Sequence, residues 1–141
     1  MEHHYFKSLE HLGDGSELSL TEVIDHIVFD DRGLLPVITQ DSETKEILMF
    51  AWMNKEALQR TLSSKRMTYW SRSRQEYWVK GQTSGHTQAL MNMSFDCDGD
   101  VALCQVKQEG KACHTGRIDC FYLQVDHQNQ RVLIKGEANF T

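Results

Sequence analysis

Three cysteines and three aspartates between positions 96 and 120 lie in polar, glycine-containing segments, Asp96-Cys97-Asp98-Gly99-Asp100, then Cys113-His114-Thr115-Gly116, then Cys120. No other feature constrains the fold so strongly, because loops that bring such groups to a metal need rigid elements on either side. Three thiolates leave a tetrahedral zinc one ligand short. A zinc open at its fourth position is catalytic in type, since the vacancy holds a water whose pKa the metal lowers toward neutrality. The competing reading is a structural four-cysteine site, which shows close C-x-x-C pairs, and none occurs here. Cys104, the remaining cysteine, lies in the apolar run Val101-Ala102-Leu103-Cys104 and reads as core.

Asp96, Asp98 and Asp100 alternate as the first ligands of an EF-hand loop do, but that loop's sixth position is Val101 and its twelfth is Lys107. A solvated acidic turn is one reading. Carboxylates crowded beside a thiolate repel one another unless cations are present. A hard, oxygen-liganded ion such as magnesium relieves that repulsion, while the sulfurs select zinc. Two different metals side by side is the sharper expectation.

A second dense region runs Tyr69-Trp70-Ser71-Arg72-Ser73-Arg74, then Tyr77-Trp78-Val79-Lys80-Gly81-Gln82-Thr83-Ser84-Gly85-His86. Arg72, Arg74 and Lys80 suit phosphate, and Gly81, Thr83, Ser84 and Gly85 suit a tight loop with backbone and hydroxyl donors for an anion. The alternative for the arginines is a solvated surface. Trp70 and Trp78 suit either stacking on a purine or filling the core. His86 and His114 flank the two regions and are candidate proton shuttles or ligands, against a structural role for each. His3, His4 and His11 show no ligand spacing and read as exposed.

A net charge of −5 argues against a nucleic-acid or anionic-membrane surface, while leaving room for a local basic pocket. A single-stranded RNA module would interleave aromatic and basic residues similarly, but the charge and the thiol–carboxylate cluster count against it. A zinc-stabilised binding module is the rival from outside enzymology. No apolar run reaches the length of a membrane span, and the polar N-terminus has no apolar signal core. Reduced thiols in a cytoplasmic setting are therefore expected rather than disulfides.

Residues 1–18 read as an N-terminal extension with a turn at Gly13-Asp14-Gly15, and residues 19–141 as one domain. Ser19-x-x-Glu22 predicts a capping box opening a helix over Leu20, Val23, Ile24 and Ile27. Leu34 to Thr39 and Ile47 to Met53 predict strands joined by the turn Asp41-Ser42-Glu43-Thr44-Lys45. Asn54 predicts an N-cap for a helix from Lys55 to Ser63, with Ala57, Leu58, Thr61 and Leu62 on one side. Further strands are expected at Met67 to Trp70, Gln88 to Phe95, Val101 to Val106, Phe121 to Val125 and Val132 to Ile134. Several are apolar throughout, as in strands covered on both faces. The expected class is α+β, a single mixed-sheet domain with two or three helices.

Four segments together resemble the phosphoribosyl-AMP cyclohydrolase family: Trp70-Ser71-Arg72-Ser73-Arg74, Lys80-Gly81-x-Thr83-Ser84-Gly85-His86, Asp96-Cys97-Asp98-x-Asp100 and Ala112-Cys113-His114-Thr115-Gly116-x-x-x-Cys120-Phe121. The likeness runs from about Leu35 to Tyr122. It implies the third step of histidine biosynthesis, hydrolysis of the N1–C6 bond of the purine in phosphoribosyl-AMP. It implies zinc on Cys97, Cys113 and Cys120 and magnesium on Asp96, Asp98 and Asp100. It further implies an intertwined homodimer, in which Cys97 shares its zinc with Cys113 and Cys120 of the partner subunit. His114 and His86 would serve catalysis, and Arg72, Ser73, Arg74, Trp78, Lys80, Thr83 and Ser84 would bind substrate. Gln82 and Asp119 depart from the family pattern, where glutamate and serine are frequent. With about twenty residues after Tyr122, a monofunctional chain is expected. The zinc-deaminase signature H-x-E…P-C-x-x-C, whose water attacks the same purine carbon, is absent.

Overall fold

The computed structural model describes residues 4–140. Its elements in chain order are α1 (His4–Ser8), α2 (Leu20–His26), β1 (Leu35–Asp41), β2 (Ile47–Met53), α3 (Lys55–Ser64), β3 (Thr68–Ser71), β4 (Glu76–Val79), β5 (Gln88–Phe95), β6 (Ala102–Gln108), β7 (Leu123–Asp126) and β8 (Arg131–Ile134). Four strands form one sheet in the order β2-β1-β6-β5, while β3-β4 and β7-β8 are separate two-stranded sheets. β1 runs parallel to β6, and β1–β2 and β5–β6 are antiparallel, so the expected mixed sheet in an α+β chain is present.

Local chemistry sets several of these boundaries. The Asn54 side chain accepts from Ala57 N at 2.8 Å, and α3 ends where Lys65 turns left-handed at φ 64°. Ser19 accepts from Glu22 N at the start of α2. In the turn after β1, the Asp41 carboxylate accepts from Glu43 N and Thr44 N. Thr61 anchors α3 to β3, donating to Thr68 O and accepting from Thr68 N. Apolar residues alternate along β1, so Leu35 and Val37 are sealed against Met53, Leu58, Met67 and Tyr69. Cys104 lies in the same core, where burial pushes its thiol up to about 12.

Two segments differ from expectation. β4 is a strand where none was expected, in the aromatic stretch just before the Gly81–Gly85 loop. Gln75 takes a left-handed turn at φ 54°, and Trp70 and Tyr77 then pack edge to face at 4.9 Å across the hairpin. The apolar run Val132 to Ile134 reads as a covered strand, but β8 is exposed along its length, and Leu123 and Val125 of β7 are exposed as well. A two-stranded sheet lacks a second layer within the protomer to cover it.

Within residues 1–18, α1 inserts Phe6 into the core. Its ring lies so close to Gly99 that a Cβ there, at φ +67°, would overlap it. The acidic turn is thereby packed from below. Val28 N also donates to Gly99 O at 2.8 Å.

Candidate metal and substrate site

β6 ends at Gln108, and the chain then folds into the loop that carries Cys113 and Cys120. That loop is closed internally by Ala112 N to Ile118 O, Cys113 N to Arg117 O and Gly116 N to Cys113 O. Cys120 N donates to Leu48 O, which ties the loop to edge strand β2. Asp119, one of the two positions off the family pattern, is buried and accepts from Phe121 N at 2.7 Å, so it shapes the turn around Cys120.

The two sulfurs of this loop interact. Burial pushes the Cys113 thiol up, but the Thr115 hydroxyl and N–H, the Cys120 thiol and the Arg117 guanidinium outweigh it and leave the pKa lowered. Cys120 is pushed up to about 11, first by partial desolvation and then by the neighbouring Cys113. Such a pair holds its protons jointly, with one sulfur favoured as thiolate.

Cys97 is exposed in the β5–β6 turn and stands apart from this pair. Cys120 is tied to β2, whereas Cys97 precedes β6, two strands across the sheet. Strands lie about 4.8 Å apart, so the two strands that anchor these loops are roughly 10 Å apart. Among the described residues, the one trio of candidate ligands whose atoms converge within 4.8 Å is Asp96, Asp98 and Asp100. Asp96 also accepts from Asp100 N and Val101 N, which holds the turn in shape. A single protomer thus assembles the carboxylate trio and two of the three thiols.

A cavity of about 540 Å³ opens onto Cys113. Its wall includes Arg74, Trp78, Thr83, Ser84, His86 and His114, residues from both of the dense sequence regions. The Thr83–Ser84 turn is closed by Gly81, whose φ is +80° and where a Cβ would meet the His86 backbone at 2.4 Å. Only glycine fits there. His86 Nδ1 lies 3.1 Å from Lys111 O and 3.3 Å from Lys111 N, so the Lys111 backbone holds the ring in place. His114 is exposed at the cavity mouth.

Arg72 and Ser73 lie in a neighbouring groove with Phe50, Trp52 and Trp70, and the Arg72 guanidinium sits 4.6 Å above the Trp52 ring. Arg74 and Trp78 border both the cavity and the groove. Trp52 escaped sequence reasoning because it lies in β2, far along the chain from Arg72; its aromatic position beside Phe50 was the available signal. Lys80 is placed differently from the arginines. It is 9 % exposed, and its ammonium donates to Ala112 O at 2.6 Å. Burial lowers its pKa, opposed by the attraction of Cys120 and Cys113.

The donor sets fit the two metals by their chemistry. Paired sulfurs with one thiol poised to ionise suit zinc, and a convergent carboxylate trio suits a hard cation. Together, an α+β fold with the Cys113 thiol facing a polar, aromatic cavity beside Arg74 and His86 suits an enzyme acting on a small polar molecule. A family model described as phosphoribosyl-AMP cyclohydrolase matches residues 49–122. A phosphoribosyl-AMP cyclohydrolase of Hydrogenovibrio crunogenus is 52% identical over 124 residues, covering 87% of this chain and 84% of that protein. One from Alcanivorax borkumensis is 48% identical over 124 residues, covering 88% and 87%. One from Dinoroseobacter shibae is 58% identical over 97 residues, covering 69% and 82%. The chain belongs to the phosphoribosyl-AMP cyclohydrolase family, hydrolytic enzymes of histidine biosynthesis.

Proposed function

We propose that this chain hydrolyses the N1–C6 bond of 1-(5-phosphoribosyl)-AMP and opens the purine ring to the formimino carboxamide ribotide. The observation that carries this reading is the cavity in which Cys113, Trp78, the Thr83–Ser84 turn, His86 and His114 face a common space. Zinc held by Cys97, Cys113 and Cys120 would supply a water acidified toward neutral pH. Asp96, Asp98 and Asp100 would hold magnesium, which would help to bind the substrate's phosphates.

The chain's own residues do the rest. Arg74 and the donors of the Thr83–Ser84 turn bind one phosphate, Arg72 and Ser73 the other, and Trp78 stacks on the purine between them. The substrate carries a phosphoribosyl arm on each side of its purine, so a cavity and a groove that share Arg74 and Trp78 suit its shape. Phosphoribosyl on N1 makes the ring cationic and electrophilic at C6. His86, its Nδ1 held by the Lys111 backbone, turns Nε2 to proton transfer, and His114 at the mouth exchanges protons with solvent.

The zinc set is completed between chains in this reading, with Cys97 of one protomer joining Cys113 and Cys120 of the partner subunit. Two observations support it. Cys97 stands apart from the thiol pair of its own chain, and the β7–β8 sheet exposes Leu123, Val125, Val132 and Ile134. An isolated two-stranded hairpin is marginal in water and gains from a covering layer.

Following the ultraviolet spectrum of phosphoribosyl-AMP tests the reaction directly. The purine band should change on ring opening in the presence of the purified chain, zinc and magnesium. An unchanged spectrum with correctly folded, metal-loaded protein overturns the proposal.

A further inference from the structure

We infer that Lys80 is a positioning residue of the zinc site, the buried counter-charge to the Cys113–Cys120 pair, and that it sets how tightly zinc is held. The inference rests on the zinc reading above. Its starting point is the contrast among the basic residues of the region. Arg72 and Arg74 are exposed, whereas Lys80, which also lines the cavity, is buried just after β4.

A buried ammonium requires compensating charge or strong acceptors. Lys80 spends one N–H on Ala112 O, the carbonyl next to Cys113, and lies 5.7 Å from the centre of the Trp78 ring. Among the described residues no carboxylate forms an ion pair with it. Its ammonium is instead held against the loop that carries Cys113 and Cys120. Three thiolates around a zinc dication leave one net negative charge, and one buried ammonium restores neutrality. The same contact pins the Cys113 loop to β4, so charge and geometry are delivered together. Groups just outside a metal's ligands tune its affinity in this way.

Zinc affinity of the full chain, measured by chelator competition, tests the assignment. Lys80→Met keeps the stem and removes the charge, and Lys80→Arg keeps the charge. Lys80→Met should weaken zinc binding about 10- to 100-fold, and Lys80→Arg should recover most of it. If Lys80→Met does not fold, Lys80→Gln provides the uncharged arm. Two results overturn the inference. One is an uncharged variant that holds zinc as wild type does while KM rises, which would return Lys80 to phosphate binding. The other is a Lys80→Arg variant as weak as the uncharged one, since shape rather than charge would then matter. A wild-type chain that takes up no zinc overturns the zinc reading itself, and this inference with it.

Discussion

The Thr115 hydroxyl donates to the Cys113 sulfur at 3.0 Å inside a buried loop. That bond stabilises negative charge on the sulfur and orients it toward the cavity, while Cys97 sits exposed in another loop. The thiol that sequence spacing groups with Cys113 is thus not its neighbour in the protomer.

Subunit mixing tests the shared zinc site. Cys97→Ser and Cys113→Ser should each abolish zinc retention and turnover. Mixed in equal amounts and allowed to exchange subunits, they should recover roughly a quarter of wild-type activity, because half the dimers are mixed and each mixed dimer has one intact site. Verified mixed dimers without activity would rule out sharing.

Arg72→Ala should mainly raise KM for phosphoribosyl-AMP with kcat nearly unchanged, the signature of binding common to ground and transition states. Arg72 is stacked on Trp52 in a groove whose wall includes no cysteine, so zinc content should stay intact. Steady-state kinetics with metal analysis decides this, and an unchanged KM removes Arg72 from phosphate binding.

Tyr69→Phe tests the polar core. The Tyr69 hydroxyl donates to Gln88 Oε1 at 2.6 Å and takes a bond from Thr39 at 2.8 Å, with all three residues fully buried. Its loss strands two buried polar atoms, which costs about 1–3 kcal/mol. Urea unfolding should show a lower midpoint at constant slope. A midpoint equal to wild type would mean that the network contributes nothing.

Gly81→Ala should distort the Thr83–Ser84 turn, because its Cβ would strike the His86 backbone and its φ of +80° disfavours a side chain. Destabilisation of about 1–3 kcal/mol is expected, together with lost activity as His86 shifts. A thermal melt and a turnover assay on the same sample check both effects.

Asp41 gives a pH signature. The Thr44 N–H first, then the Glu43 N–H and the Thr44 hydroxyl, outweigh partial desolvation and hold its carboxyl below the usual carboxylate range. A depressed folded-state pKa contributes stability that is present above the unfolded value and is lost as pH falls through the folded one. Asp41→Asn should therefore flatten the acid limb of the stability–pH curve and leave the alkaline side unchanged. Parallel acid limbs in the two proteins would contradict this.

Local patterns were readable in the sequence wherever chemistry is local. Ser19 and Asn54 announced the helix starts at α2 and α3, the Asp41 turn announced the β1–β2 hairpin, and the apolar run around Cys104 announced a core strand. β4 was hidden because its apolar run Tyr77-Trp78-Val79 is only three residues long and sits between polar and basic segments. The helix that carries Phe6 was hidden because five residues leave too short a periodic pattern to read.

The same division holds at the site. The sequence alone supplied the reactive groups, since thiols, carboxylates and a Gly/Thr/Ser turn are identified by residue type and short spacing. Only the tertiary structure decided which of them meet. The order β2-β1-β6-β5 places Cys120 against one edge strand and Cys97 beyond β6. It also buries Lys80 beside the thiol pair while leaving Arg72 and Arg74 at the surface. Such neighbours depend on strand order and on which loop folds over which edge, long-range choices made by burial of the whole core and not encoded in any short motif.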